Sequence, residues 1–142
     1  MKKLQIGEVS ELVGLSLRTI RHYEEVGVVV PEERSAGGFR LYSEADVEKL
    51  RLVMKLKPLD FSLEEMRDLL GTMDAIESSP DGAQRRHLIE RLSLFATIAQ
   101  ERCDRLREQL GIAESLTAEI RKAVLKAHGG SASAPGNARR SV

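Results

Sequence analysis

Residues 16–24 read Ser16-Leu17-Arg18-Thr19-Ile20-Arg21-His22-Tyr23-Glu24, a short segment with the periodicity of an amphipathic helix. Ser16 is a good N-cap residue because its hydroxyl can accept a hydrogen bond from a free amide of the first helical turn. Leu17, Ile20 and Tyr23 recur at helical spacing and are predicted to face a core. The arginines, the threonine and the histidine between them then lie on the outer face, which is therefore cationic and rich in hydrogen-bonding groups.

The preceding segment also predicts a short helix. Apolar residues recur at Ile6, Val9 and Leu12/Val13, and Val13-Gly14-Leu15 supplies a tight turn before Ser16. Two short helices joined by a turn containing glycine are typical of a helix-turn-helix, whose second helix enters the major groove of DNA. The same pattern also occurs in other small helical domains, so it does not establish DNA binding by itself.

A β-hairpin is predicted after the second helix. Val28–Val30 has strand character, and Glu32–Tyr42 contains two extended arms around the turn Ala36–Gly38. Arg34 and Arg40 lie on the arms. A hairpin in this place is either a wing that straddles a phosphate backbone or a surface hairpin with two solvated arginines.

Two further helices are indicated by capping boxes, in which a serine and an acidic residue three positions later bond each other's backbone amides. Ser43 opens the first of these helices, Ser62 opens the second, and Pro58 is expected to end the first. Residues 1–75 are thereby predicted to form one winged helical domain.

The remainder is predicted to be a linker (76–83), a long coiled-coil helix (84–127) and a flexible tail (128–142) that carries Arg139-Arg140.

The predicted long helix has an apolar stripe whose steps alternate between four and three residues, with one stutter. Its predicted dimerisation residues are Leu88, Leu92, Phe95, Ala99, Cys103, Leu106 and Leu110. A rod of roughly 60 Å cannot bury this stripe against the small domain, so a second chain is expected to cover it. Gly111 marks a place where the helix could break.

The composition restricts the possible functions. The chain has 142 residues and no Trp. Because its net charge is +0, any surface that binds nucleic acid has to be a local basic patch. Cys103 is the only cysteine, which excludes a thiolate metal cluster; we expect no metal, no cofactor and no enzymatic activity. Its place on the apolar stripe favours packing over redox sensing. No secretory signal or membrane-length apolar run is present, so a cytoplasmic location is expected.

Several pieces of the sequence, in this order and spacing, resemble the MerR-type transcription regulators. They are Ile6–Val9, Leu17–Glu24, Gly27, Gly38–Ser43 and Phe61–Met66. The resemblance implies a mainly α fold: a winged helix-turn-helix domain with a small hairpin wing, followed by a long helix that forms an antiparallel coiled coil in a homodimer. It further implies binding to a pseudo-palindromic operator in double-stranded promoter DNA, which is distorted so that RNA polymerase can engage it.

The resemblance also implies roles for individual residues. Ser16, Arg18 and Thr19 would enter the major groove. Arg21, His22 and Tyr23 would contact or brace the phosphate backbone. Arg34, Phe39, Arg40 and Tyr42 would place the wing, and Lys55 or Lys57 would add phosphate contacts.

The chain departs from the family pattern at three positions. His22 and Phe39 stand where tyrosine is common, and Asp60 stands where glycine is common. Family members often carry an effector region beyond the long helix; no effector for this chain can be named from its sequence. Two alternative functions stay open, a dimeric small-molecule-binding module and a coiled-coil interaction adaptor with residual DNA binding.

Overall fold

The computed structural model describes residues 2–79 and 81–133, which form five α-helices, one short 3-10 helix and three short strands. In chain order the elements are β1 (Leu4–Gln5), α1 (Ile6–Val13), α2 (Leu17–Glu25), β2 (Glu33–Arg34), β3 (Arg40–Tyr42), α3 (Glu44–Leu56), the 3-10 helix (Lys57–Leu59), α4 (Leu63–Ser78) and α5 (Ala83–Ser133). The predicted fold class, mainly helical with a small hairpin and a long terminal helix, is confirmed. Within the described ranges, no helix combines the length and the apolar character needed to traverse a bilayer.

The predicted helix starts are confirmed by their caps. The Ser16 hydroxyl accepts a hydrogen bond from the Thr19 amide at 3.1 Å. Ser43 caps α3 in a reciprocal capping box, and Ser62 caps α4 in the same way. Such caps satisfy amides that have no partner within the helix, and each stabilises its helix by about 1 kcal/mol.

One apolar core joins α1 to α4 and the hairpin. Ile20 and Tyr23 from α2 lie in this core together with Val9, Leu50 and many other apolar side chains. Leu17 was predicted to face the core with Ile20 and Tyr23, and this is wrong, because its side chain is 38% exposed. The buried face of α2 is narrow since the helix packs mainly against α1.

The strands form an antiparallel sheet in the order β1-β3-β2, with Leu4 opposite Tyr42 and Glu33 opposite Leu41. The prediction of a strand at Val28–Val30 is wrong. The amides of Val28 and Val29 both donate to the Tyr23 carbonyl, at 2.8 and 3.3 Å, in the turn that ends α2. They are therefore not available for a strand ladder, and their apolar character reflects burial in the core.

Strand β1, at one edge of the sheet, was not predicted from the sequence. Only Leu4 and Gln5 take part, and they pair with Tyr42 and Leu41. A two-residue strand is too short to show an alternating apolar pattern.

The long helix α5 is continuous from Ala83 to Ser133, so it does not break at Gly111. The tail was predicted to begin at residue 128, whereas the helix continues to Ser133. The rest of the predicted tail, residues 134–142 with Arg139-Arg140, lies outside the described residues, as does Pro80 in the predicted linker.

The chain divides into two compact units at residue 100, and α5 contributes to both. In the first unit, the Arg91 guanidinium bonds both carboxylate oxygens of Asp68 on α4, at 2.6 and 2.7 Å. Arg85 donates to the Ile76 carbonyl at 2.6 Å, close to the end of α4. These contacts attach the first turns of α5 to the rest of the first unit.

Part of the predicted dimerisation stripe packs within this first unit. Leu92, Phe95 and Ala99 are partly buried against the apolar core of their own chain. The expectation that the whole stripe needs a second chain is corrected accordingly. The first turns of the stripe find apolar partners in the N-terminal domain because α5 is anchored against α4.

In the second unit the apolar side chains of the stripe are exposed to solvent. Leu106 and Leu110 are 42% and 57% exposed, and Ile120 and Val124 are 55% and 50% exposed. Cys103 is half-buried.

Candidate nucleic-acid interface

The outer face of α2 carries the residues predicted to read DNA. Arg18, Arg21 and His22 are exposed, and Thr19 is half-buried. Ser16 is exposed at the start of the helix, and its hydroxyl also donates to the Thr19 hydroxyl at 2.9 Å. Ser16 therefore has a structural task, which is to start the helix that presents the arginines.

Arg18 and His22 open onto a groove of about 490 Å³ between α2 and the beginning of α4. Lys57, in the 3-10 helix, lines the same groove, so three residues able to carry positive charge come together there. No acidic side chain lines it among the described residues. A groove of this charge suits a phosphate backbone, which attracts local cationic clusters even when the net charge of a protein is zero. Lys55, the other predicted lysine, is exposed but does not line this groove.

The hairpin is held in shape by Arg34. Its guanidinium donates to the Gly38 carbonyl at 2.9 Å, across the turn. Gly38 adopts a φ of +86°, a conformation that suits glycine. Phe39 follows the turn and is 62% exposed, so the apolar ring stands at the end of the hairpin.

Arg40 does not stand free on the hairpin. Its Nε forms a hydrogen-bonded ion pair with the Glu24 carboxylate at the end of α2. The pair links the hairpin directly to the predicted reading helix. Sequence reasoning missed Glu24 as a functional residue, because a carboxylate beside a DNA surface is normally interpreted as solvated or unfavourable.

Both tyrosines of the predicted site belong to the core. Tyr42 is 0% exposed and Tyr23 is 3% exposed. Burial raises the pKa of Tyr23, and burial together with the nearby Glu24 carboxylate raises the pKa of Tyr42 to about 12. Both phenols are therefore neutral at physiological pH. Tyr42 can place the hairpin from below, but the structure leaves it out of the contact surface.

Asp60 adopts the left-handed conformation, with a φ of 60° and a ψ of 31°, immediately after the 3-10 helix. It is the one described non-glycine residue with a positive φ. This conformation explains why glycine is common here in the family that the sequence resembles, since glycine has no Cβ to clash.

A metal centre finds no support in the described ranges, which contain no cluster of three or more His, Cys, Asp or Glu side chains suited to a metal ion. Cys103 has no other cysteine to join.

Comparison with known proteins identifies the N-terminal domain. Residues 4–72 match the family model described as "MerR HTH family regulatory protein". The chain is 36% identical over 108 residues to nodulation protein NolA of Bradyrhizobium elkanii, an alignment that covers 75% of this chain and 47% of the relative. It is 48% identical over 67 residues to the HTH-type transcriptional regulator HmrR of Rhizobium leguminosarum bv. viciae, covering 47% of this chain and 51% of that protein. The chain thus spans about half the length of these curated relatives.

The fold is shared with a solved MerR-family structure. HiNmlR, a regulator that lacks the sensor domain and was crystallised bound to promoter DNA, superposes with a TM-score of 0.64. The two chains are 23% identical, and the match covers 87% of this chain and 94% of HiNmlR. The family match, the regulator relatives and the shared architecture agree, and residues 4–72 form a helix-turn-helix domain of the MerR family.

Proposed function

We propose that the protein binds promoter DNA in a sequence-specific manner, as a homodimer, and regulates transcription from the cytoplasm. The observation that carries the proposal is the exposed cationic face of α2, with Arg18 and His22 opening onto the groove that Lys57 also lines. The description of HiNmlR as bound to promoter DNA supports the choice of partner.

Within this proposal Arg18 reads sequence from the major groove. Arginine can bond the O6 and N7 atoms of guanine with two parallel hydrogen bonds, and such a contact gives about 1–3 kcal/mol of discrimination. Arg21, His22 and Lys57 contact phosphates, which fix the orientation of the domain but carry no sequence information. Lys55, which is exposed but does not line the groove, is assigned a further phosphate contact.

The dimer is proposed to form through the open stripe of α5. Leu106 and Leu110 repeat with the coiled-coil spacing and are too exposed to be satisfied within one chain. A second copy that runs antiparallel would cover the stripe and carry a second DNA-binding domain. Cys103 would be buried at the beginning of this interface.

Two domains are needed because the operator is proposed to be distorted. Distorting an operator costs on the order of several kcal/mol, which has to be recovered from contacts made by both protomers. RNA polymerase then meets promoter elements that the distortion has brought into register.

The DNA-binding part of the proposal is tested with the region upstream of the protein's own gene. The full-length protein is titrated at two salt concentrations, and DNase footprinting locates the protected site. Specific binding should exceed binding to unrelated DNA of equal length at both salts. The matched pair of variants is Arg18→Ala and Arg105→Ala, since Arg105 offers the same charge at an exposed position on α5.

Arg18→Ala is expected to lose about 1–3 kcal/mol of affinity for the site and to relax its sequence preference. Arg105→Ala is expected to bind normally. Equal affinities of the two variants for the site would contradict the role of Arg18, and the absence of a footprint for the unaltered protein would contradict the function itself.

The dimer is tested by measuring the mass of the protein in solution at micromolar concentration. Leu110→Glu places a charge on the stripe and is expected to give monomers. Ile112→Glu is the control, because Ile112 is 67% exposed and lies about 200° further around the helix. A monomeric unaltered protein, or a dimer that survives Leu110→Glu, would contradict the proposed interface.

A further inference from the structure

The ion pair between Glu24 and Arg40 is a negative charge placed next to a surface proposed to bind a polyanion. The Glu24 side chain is 17% exposed, and its Oε2 atom accepts a hydrogen bond from Arg40 Nε. The pair joins α2 to β3 across 16 residues of sequence. It therefore connects the reading helix to the hairpin.

The contact uses only one of the five N–H groups of the Arg40 guanidinium. Within the described residues, neither terminal amino group of Arg40 donates a hydrogen bond. The side chain as a whole is 38% exposed, so part of it is accessible to a ligand. Because the Arg40 guanidinium is planar and is held at Nε, the N–H groups of its two terminal nitrogens lie in a fixed plane.

Arg21 shares a cleft with this guanidinium. The cleft has a volume of about 270 Å³ and lies between α2 and the hairpin. Arg21 and Arg40 line it together with Glu24 and the exposed Glu25. Two arginines at one cleft can bind a phosphate group by charge-assisted hydrogen bonds, provided that their orientation is fixed.

A buried tyrosine lies near the ion pair. Tyr42 is wholly buried next to both Glu24 and Arg40, and burial keeps its phenol neutral. Tyr42 makes no hydrogen bond to either side chain, so the bond to the Glu24 carboxylate is the contact that holds the Arg40 guanidinium.

We propose that Glu24 is a positioning residue, which holds Arg40 by its Nε so that the terminal amino groups of Arg40, with Arg21, bind one DNA phosphate in the cleft between α2 and the hairpin. The inference rests on the proposed DNA-binding function and deepens it. It reverses the expectation from simple electrostatics. Removal of a negative charge near DNA normally strengthens binding, whereas removal of the Glu24 charge weakens it.

The test compares Glu24→Gln with Glu25→Gln in the full-length protein on the footprinted promoter DNA. Both substitutions remove one negative charge from residues that line the same cleft, and Glu25 has no ion-pair partner among the described residues. Glu24→Gln is expected to bind about tenfold more weakly. Glu25→Gln is expected to bind as tightly as the unaltered protein, or more tightly.

Salt dependence separates a positioning role from a structural one. Loss of one phosphate contact lowers the slope of log affinity against log salt by about 0.9 for each protomer. Glu24→Gln should show this reduced slope. A loss of thermal stability together with an unchanged slope would mean a structural role only and would overturn the proposal.

The double variant Glu24→Gln/Arg40→Ala completes the test. It is expected to bind no more weakly than Arg40→Ala alone, because Glu24 acts through Arg40. Additive losses would overturn the proposal. If the unaltered protein binds the DNA and Glu24→Gln behaves like Glu25→Gln, the positioning role fails and the function stands; if the unaltered protein binds no DNA, both fail.

Discussion

Replacement of Tyr42 by phenylalanine should make the protein more stable. The Tyr42 side chain is 0% exposed, and its hydroxyl has no hydrogen-bond partner among the described residues. Folding therefore removes this hydroxyl from water without compensation. Phenylalanine keeps the ring that packs in the core and removes only the uncompensated group.

The magnitude follows from the cost of a buried hydroxyl that is not satisfied, about 1–3 kcal/mol. Taking the lower end of this range, Tyr42→Phe should stabilise the protein by about 1 kcal/mol. For a domain of this size that corresponds to a rise in Tm of about 4–8 °C. Affinity for promoter DNA should not change, because the hydroxyl lies beneath the surface that the proposal assigns to DNA.

The pKa of Tyr42 adds an alkaline signature to the same prediction. The phenol is protonated in the folded protein up to about pH 12, whereas in the unfolded chain it ionises near its ordinary pKa of 10. A raised pKa in the folded state means that stability is fully present below pH 10 and is lost as the pH rises towards 12. The advantage of Tyr42→Phe should therefore grow above pH 10. Tyr23, whose pKa is also raised by burial, titrates in both proteins.

Urea unfolding followed by circular dichroism, at neutral pH and again above pH 10, measures both effects. Tyr23→Phe is the control, since Tyr23 lines the open groove and its hydroxyl is not among the buried unsatisfied groups. At neutral pH we expect its stability to change by less than about 0.5 kcal/mol. A Tyr42→Phe protein that is less stable than the unaltered one would refute the reasoning, because it would mean that the hydroxyl has a partner in the folded protein.

Substitutions at three other positions test local features by the same unfolding assay. The Asp60→Gly protein should be about 1 kcal/mol more stable than the Asp60→Ala protein. Both variants lack the carboxylate, and only glycine tolerates the positive φ without strain. Equal stabilities of the two variants would contradict this reasoning. Ser62→Ala should cost about 1 kcal/mol through loss of the 3.0 Å hydrogen bond from the Glu65 amide, and an unchanged midpoint would show that water replaces the cap. Gly27→Ala should cost about 1–2 kcal/mol because the φ of +77° strains any residue with a Cβ, and a neutral effect would imply that the turn after α2 rearranges.

The helical elements were predictable because their signals are local. A serine cap, an acidic residue three positions later and an apolar stripe all lie within one or two turns, and the starts of α2, α3 and α4 follow from Ser16, Ser43 and Ser62. The arginine-rich outer face of α2 is a consequence of the same periodicity. These parts of the candidate site were available from sequence alone.

The remaining features depend on contacts between distant residues. Val28 and Val29 have the composition of a strand, and only the bonds that they donate to Tyr23 show that they belong to a turn. The pairing of Glu24 with Arg40 depends on the placement of the hairpin against α2, which no local pattern contains. The same holds for Leu92, whose heptad position indicates a coiled coil while its contacts are with the core of its own chain.

The attachment of α5 to the N-terminal domain has a consequence for how the protein can be divided. The family match ends at residue 72, yet Leu92 and Phe95 cover the same core, and Arg91 is bonded to Asp68 on α4. A fragment cut at residue 72, where the family match ends, would leave apolar surface open to water. The smallest autonomous piece is thus expected to extend to about residue 100, where the compact unit ends. The last residue of the matched family domain and the last residue needed to close its core therefore lie at different places in this chain.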